Sequence, residues 1–263
     1  MKNEKESIQI LGVKIDKREK SLVYRDIDEI LNTRRGAKIF TPNGEILYKI
    51  NNDEALKRSF NSASLSLPDG ISVVLASRIL GKAIPSRISG IDTAEYVLDI
   101  ASRKGLSLYL LGGDSGIAER AAAKLKKIYT GLSISGTHHG FFLPDSEEEK
   151  EILIEIRKKA PDILFVCLGA PAQEKWIVKH SPSLPSLRLS MGLGGSLDVW
   201  SEKKKRAPQL MRVMGLEWLY RIASEPSRIK RLPNLIGFFK EAVEQALKKS
   251  TIKKEKRNGD YRV

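Results

Sequence analysis

Short apolar runs alternate with amphipathic stretches through residues 1–200. The runs IQILGVKI (8–15), AKIFTPN (37–43), ASLSLP (63–68), LSLYLLGG (106–113), LSISGTHHG (132–140), DILFVCLGA (162–170) and LRLSMGLGG (187–195) read as strands. Between them lie helical patterns with start and stop signals. Asp92 with Glu95 has capping-box spacing before TAEYVLDIASRK, and Gly105 closes that helix. Asp114 is placed to cap the helix at 115–129, Ser146 with Glu149 the helix after it, and Gly81 to end ISVVLASRIL. Strands alternating with helices predict an α/β domain, Rossmann-like, with a mostly parallel sheet flanked by helices.

The pattern changes near residue 200. Strands cease, and two helical stretches follow, PQLMRVMGLEWLYRIAS and NLIGFFKEAVEQALKK. In the second, the apolar residues of 235–247 share one arc of the helix, and Lys240, Glu241, Glu244 and Lys248 take the other side. Residues 1–200 therefore read as the α/β core and 201–263 as a helical appendage, with 250–263 expected to be disordered. That apolar arc suits a membrane, the core or a second copy of the chain.

Charge sharpens the division. The 263 residues carry a formal net charge of +14, and 201–263 hold 17 Lys and Arg against 7 Asp and Glu. A basic end suits anionic lipid, a phosphorylated substrate or nucleic acid. Aromatic residues are only 6%, and no nucleic-acid recognition motif appears, which weighs against the last. The single cysteine, Cys167, lies in an apolar strand and excludes an internal disulfide. The start lacks an apolar signal-peptide core, and no run approaches membrane-spanning length. The expectation is a cytoplasmic protein that meets membranes only peripherally.

Candidate chemistry gathers after the strands, where sites form in open α/β sheets. There lie Thr41 and Asn43, Asp69 between Pro68 and Gly70, the GGDSG loop with Gly112, Gly113 and Asp114, Gln173, and Gly194 with Asp198. Asp69 suits a general base for a hydroxyl nucleophile, or equally a helix N-cap. GGDSG suits a diphosphate at a helix N-terminus, or a tight strand-to-helix turn. It lacks the GxGxxG spacing of a dinucleotide site, and there is no P-loop. Arg87, in IPSRISGID, suits a phosphate or an ordinary surface position. Arg221, Arg228 and Arg231 stand around a Pro-broken turn, and arginine forks match phosphate oxygens. The Asp26–Asp28 pair falls mid-helix. His138 and His139 have no carboxylate at ligand spacing in the sequence, so no metal site is assigned.

TPN (41–43), LPDG (67–70), RISGID (87–92), LLGG (110–113), LGAPAQEKW (168–176), MGLGGSLD (191–198) and GLEWLYRIASEPSRIKR (215–231) together resemble the WecG/TagA/CpsF family of glycosyltransferases over residues 8–245. The resemblance implies an inverting, metal-independent transfer with no cofactor. Its donor would be a UDP-sugar, typically UDP-N-acetylmannosamine, and its acceptor an undecaprenyl-diphosphate-linked N-acetylglucosamine. The product would feed teichoic acid or another surface polysaccharide. By motif, Asp69 corresponds to the family's base, and Thr41, Arg87 and Gln173 to further active-site residues. Arg221, Arg228 and Arg231 correspond to arginines that engage diphosphate. A different UDP-sugar remains the nearest alternative.

Overall fold

The computed structural model describes residues 6–259. Its core opens with β1 (Ser7–Ile10) and β2 (Val13–Asp16), followed by α1 (Lys20–Leu31), β3 (Ala37–Phe40), α2 (Gly44–Lys49) and α3 (Glu54–Asn61). Then come β4 (Leu65–Ser66), α4 (Ile71–Ile79), α5 (Gly90–Lys104), β5 (Ser107–Gly112), α6 (Ile117–Ile128) and β6 (Ser133–His138). The core ends with α7 (Glu147–Lys159), β7 (Ile163–Cys167), α8 (Ala172–His180), β8 (Leu189–Gly192) and α9 (Ser196–Trp200). The appendage holds α10 (Gln209–Val213), α11 (Glu217–Ser224), a 3-10 turn (Pro226–Arg231) and α12 (Leu232–Gly259).

The main sheet has six strands in the order β4-β3-β8-β7-β5-β6, each paired parallel to its neighbours. The α/β expectation is met. Every residue of β7 and β8 is buried, because helices cover both faces of a parallel sheet. One apolar cluster joins the sheet to α1, α5 and α6 on one face. The other joins it to the hairpin, α2, α3, α4, α8 and α12.

Several local expectations change. Residues 8–15 are not one strand but a hairpin with its own two-stranded antiparallel sheet. The turn is Leu11 and Gly12, both at positive φ, which two-residue hairpins require. Asp92 and Glu95 do not cap α5, which starts earlier at Gly90; both bind Arg206 instead. Asp114 does not cap α6 with its side chain, which pairs with Lys203. Ser146 does accept from the Glu149 N–H, and Gly105 closes α5 in the left-handed region. The stretch 208–224 is two helices, broken at Gly215 (φ 72°), where a Cβ would meet Ile71 Cβ at 3.1 Å.

The appendage is seated on the core. Phe238 is 0% exposed and lies against Gly44, where an added Cβ would stand 2.7 Å from its ring. Gly237 likewise meets the Tyr48 ring, so α12 and α2 cross at backbone distance. Gln245 accepts from the Leu11 N–H and donates to the Gln9 carbonyl, each at 3.0 Å, tying α12 to the hairpin. The apolar arc of 235–247 is thus divided. Phe238 and Ala242 enter the core, while Ile236, Val243 and Leu247 face outward. The tail expected to be disordered continues α12 as helix as far as Gly259, and residues 260–263 lie outside the described residues.

Candidate active site

A cleft of about 860 Å³ opens at the C-terminal ends of β3, β4, β7 and β8, under the appendage. Thr41 and Asn43 follow β3. Thr41 is buried, and its hydroxyl donates to the Gly192 carbonyl at 3.4 Å. Asn43 caps α2 through the Ile46 N–H at 3.1 Å. A close approach by Gly90 keeps Thr41 in place, since a Cβ there would stand 2.9 Å from its Oγ1.

Asp69 follows β4 and lines the floor of the cleft, half-buried. It is not the N-cap of α4; Gly70 holds that position at φ 98°, a conformation L-residues avoid. Its side chain accepts no hydrogen bond from the described residues. Burial raises its pKa to about 6 against the pull of Arg87. Glu217 and Asp92 push it the same way as burial, and Arg221 opposes them. A carboxyl poised near neutrality in a cleft is suited to proton abstraction.

The chain leaves β7 through Gly169 and a cis Ala170–Pro171 bond, and delivers Gln173 to the cleft. Its Oε1 accepts from the Gly194 N–H at 2.8 Å, and its Nε2 donates to Glu174 Oε1 at 2.8 Å. Glu174 is 1% exposed, and burial raises its pKa to about 7. Its Oε2 has no partner among the described residues. After β8, Gly194 and Asp198 line the same cleft, and Asp198 pairs with Lys204 at 3.3 Å.

The appendage supplies the roof. Arg221, Arg228 and Arg231 all line the cleft. Each carries a carboxylate partner: Glu217 at 2.6 Å, Glu225 at 2.9 Å and Glu45 at 3.6 Å, respectively. Arg87 is not an isolated loop arginine, because Glu217 reaches it from α11 at 3.1 Å. Burial works against the charge on Glu217, but Arg221 and Arg87 outweigh it and hold its pKa below the ordinary value.

Ten of the thirteen candidate residues therefore meet in one cleft: Thr41, Asn43, Asp69, Arg87, Gln173, Gly194, Asp198, Arg221, Arg228 and Arg231. Gly112, Gly113 and Asp114 do not line it. Gly112 (φ 135°) lies against the Cys167 carbonyl, and Gly113 accepts from the Gly140 N–H, so GGDSG here forms a tight strand-to-helix turn. Reading the sequence missed Glu217, Arg206, Lys203 and Lys204, which also line the cleft. The i,i+4 spacing of Glu217 and Arg221 was the available signal. His138 and His139 do meet a carboxylate in space, Glu148. The Phe141 N–H donates to His139 Nδ1, and His139 Nε2 lies 3.4 Å from Glu148 Oε1.

Arginines thus line a cleft at the C-terminal ends of a parallel sheet. The family model for the glycosyl transferase WecG/TagA/CpsF family matches residues 8–252. The chain belongs to this glycosyltransferase family. A Staphylococcus aureus (strain MRSA252) protein is 34% identical over 95% of this chain and 96% of its own length. A Bacillus subtilis (strain 168) protein is 32% identical over 84% of each chain, and one from Bacillus spizizenii 34% identical over 77% of each. All three carry the name N-acetylglucosaminyldiphosphoundecaprenol N-acetyl-beta-D-mannosaminyltransferase. Among the described residues of this family member, no helix is long and apolar enough to cross a membrane.

Proposed function

We propose that the chain transfers N-acetylmannosamine from UDP-N-acetylmannosamine to undecaprenyl-diphosphate-linked N-acetylglucosamine, inverting the anomeric carbon. The observation that carries this is Asp69: a carboxylate with no hydrogen-bond partner among the described residues, lifted toward neutrality, at the floor of a cleft roofed by arginines. The names of the relatives supply the sugar and the acceptor.

Asp69 takes the proton from the acceptor hydroxyl as its oxygen attacks the anomeric carbon. The bond from that carbon to the UDP oxygen breaks on the opposite side, so one displacement inverts the centre. Charge develops on the departing diphosphate. Arg87, Arg221, Arg228 and Arg231 are the groups placed to stabilise it, and no divalent metal is assigned a role. Peripheral contact with the inner face of the cell membrane brings the lipid acceptor to this cleft. Trp218, Leu219, Ile229 and Ile236, exposed on the appendage among its lysines and arginines, suit that surface.

The test is UDP release by the full chain with a short-chain lipid-diphosphate N-acetylglucosamine acceptor, across UDP-sugars. Turnover is expected with UDP-N-acetylmannosamine and loss of it in Asp69→Asn. Selective turnover with UDP-glucose, UDP-N-acetylglucosamine or UDP-N-acetylmannosaminuronic acid would replace the donor while keeping the reaction. Full turnover by Asp69→Asn would remove Asp69 as the base.

A further inference from the structure

Glu217 is the one buried residue of α11. It is 7% exposed, whereas the neighbouring Trp218 and Leu219 face outward. Tyr220 and Ile222 of the same helix are only partly buried. The Glu217 carboxylate ties the helix to the core, for its Oε2 receives Arg87 Nη1 at 3.1 Å and its Oε1 receives Arg221 Nη2 at 2.6 Å. As the first residue of α11, Glu217 also meets the positive end of the helix.

We propose that Glu217 is a positioning residue for the transfer: it bridges Arg87 of the core to Arg221 of the appendage, and so fixes the pose of both arginines around Asp69. The inference rests on the reading of Asp69 as the base.

The bridge resolves a conflict within the site. Arginines that stabilise a departing diphosphate also weaken a nearby carboxylate as a base. Asp69 faces Arg87 from the loop before α5 and Asp92 on α5, and Glu217 and Arg221 on α11. Asp92 is already engaged by Arg206, with Arg212 3.8 Å away. The charge of Glu217 offsets part of the pull of the two arginines it holds. Asp69 thereby stays basic while the positive charge remains in place for the leaving group.

The test is the pH profile of kcat/KM for the full chain. Replacing Glu217 by Gln keeps the shape and removes the charge. Its acid limb is expected to move down by about half a pH unit or more, with a lower plateau. Glu217→Asp keeps the charge and is expected to leave the limb where the unaltered chain has it. Arg221→Gln is expected to move the limb up, the opposite direction, and serves if Glu217→Gln does not fold. Equal plateau losses in the Gln and Asp variants with an unmoved limb would overturn the proposal and leave Glu217 as an anchor. Retention of both turnover and acid limb in Asp69→Asn would instead overturn the reading of Asp69. The bridge would then be judged by melting temperature, where Arg87→Ala and Glu217→Ala are expected to be non-additive.

Discussion

Glu174 accepts the side-chain amide of Gln173 at 2.8 Å, and that contact decides which way Gln173 points. The Gly194 N–H can only donate, so the Gln173 atom facing it is the oxygen. The nitrogen therefore faces Glu174 and has one N–H left for the cleft. In the proposed transfer Gln173 would therefore act as a donor to substrate, suited to a phosphate, carbonyl or hydroxyl oxygen. Glu174→Gln retains an acceptor and is expected to keep kcat/KM within about threefold. Glu174→Leu releases the amide and is expected to cost about 10–100-fold. Steady-state kinetics of the two variants checks the pair; equal losses would mean that burial, not orientation, matters.

Asp69 acts as a base only when ionised. Its pKa of about 6 in the free protein means that kcat/KM is expected to rise as pH climbs through that value and to level above it. A profile with its acid limb near the ordinary carboxylate range would place the base elsewhere.

Holding an ionised Asp69 in the cleft costs stability. Its folded pKa lies above its unfolded one, so the fold binds the proton more tightly and loses stability as pH rises toward about 6. Asp69→Asn is expected to be more stable than the unaltered chain at pH 8, by about 1–2 kcal/mol, with the gap closing toward pH 4. Calorimetry at the two pH values reads this directly.

Charge reversal at Arg228 is expected to cut turnover by about 100-fold or more with a water-soluble acceptor as well as with vesicles, because the arginine lines the cleft. Loss confined to the vesicle assay would assign it to membrane contact.

Phe238 is the plug that seats α12. Phe238→Ala is expected to cost about 3–5 kcal/mol and to loosen the appendage. Gly237→Ala, with its Cβ placed 2.3 Å from Tyr48 Cζ, is expected to cost about 1–3 kcal/mol. Denaturant melts together with proteolysis of the appendage test both.

The apolar runs foretold the sheet, because parallel strands buried on both faces have little else to be. Ser146 and Gly105 were legible because caps act over three or four residues. Asp92 and Glu95 misled because their spacing fits a cap, while their partner Arg206 stands over a hundred residues away in sequence. Asp69, Arg87 and Gln173 could be named from strand-tip motifs. Glu217 offered only its i,i+4 spacing to Arg221, since burial of an acid in a basic segment exists only once the appendage has docked. GGDSG packs as a turn against Cys167 and Gly140, outside the lining of the cleft. Similarly, the arc of 235–247 gave no sign that Phe238 and Ala242 would enter the core while Ile236, Val243 and Leu247 would not.

The pairing of every roof arginine with a carboxylate has a consequence for selectivity. The mouth is far closer to electroneutral than its arginines alone would make it. A small free anion such as sulfate must compete with tethered carboxylates at high local concentration, and it gains little by doing so. A diphosphate carrying a nucleoside and a sugar engages several sites at once and can win that exchange. In the proposed transfer, counter-ions built into the chain would thus act as a filter against the inorganic anions that surround it.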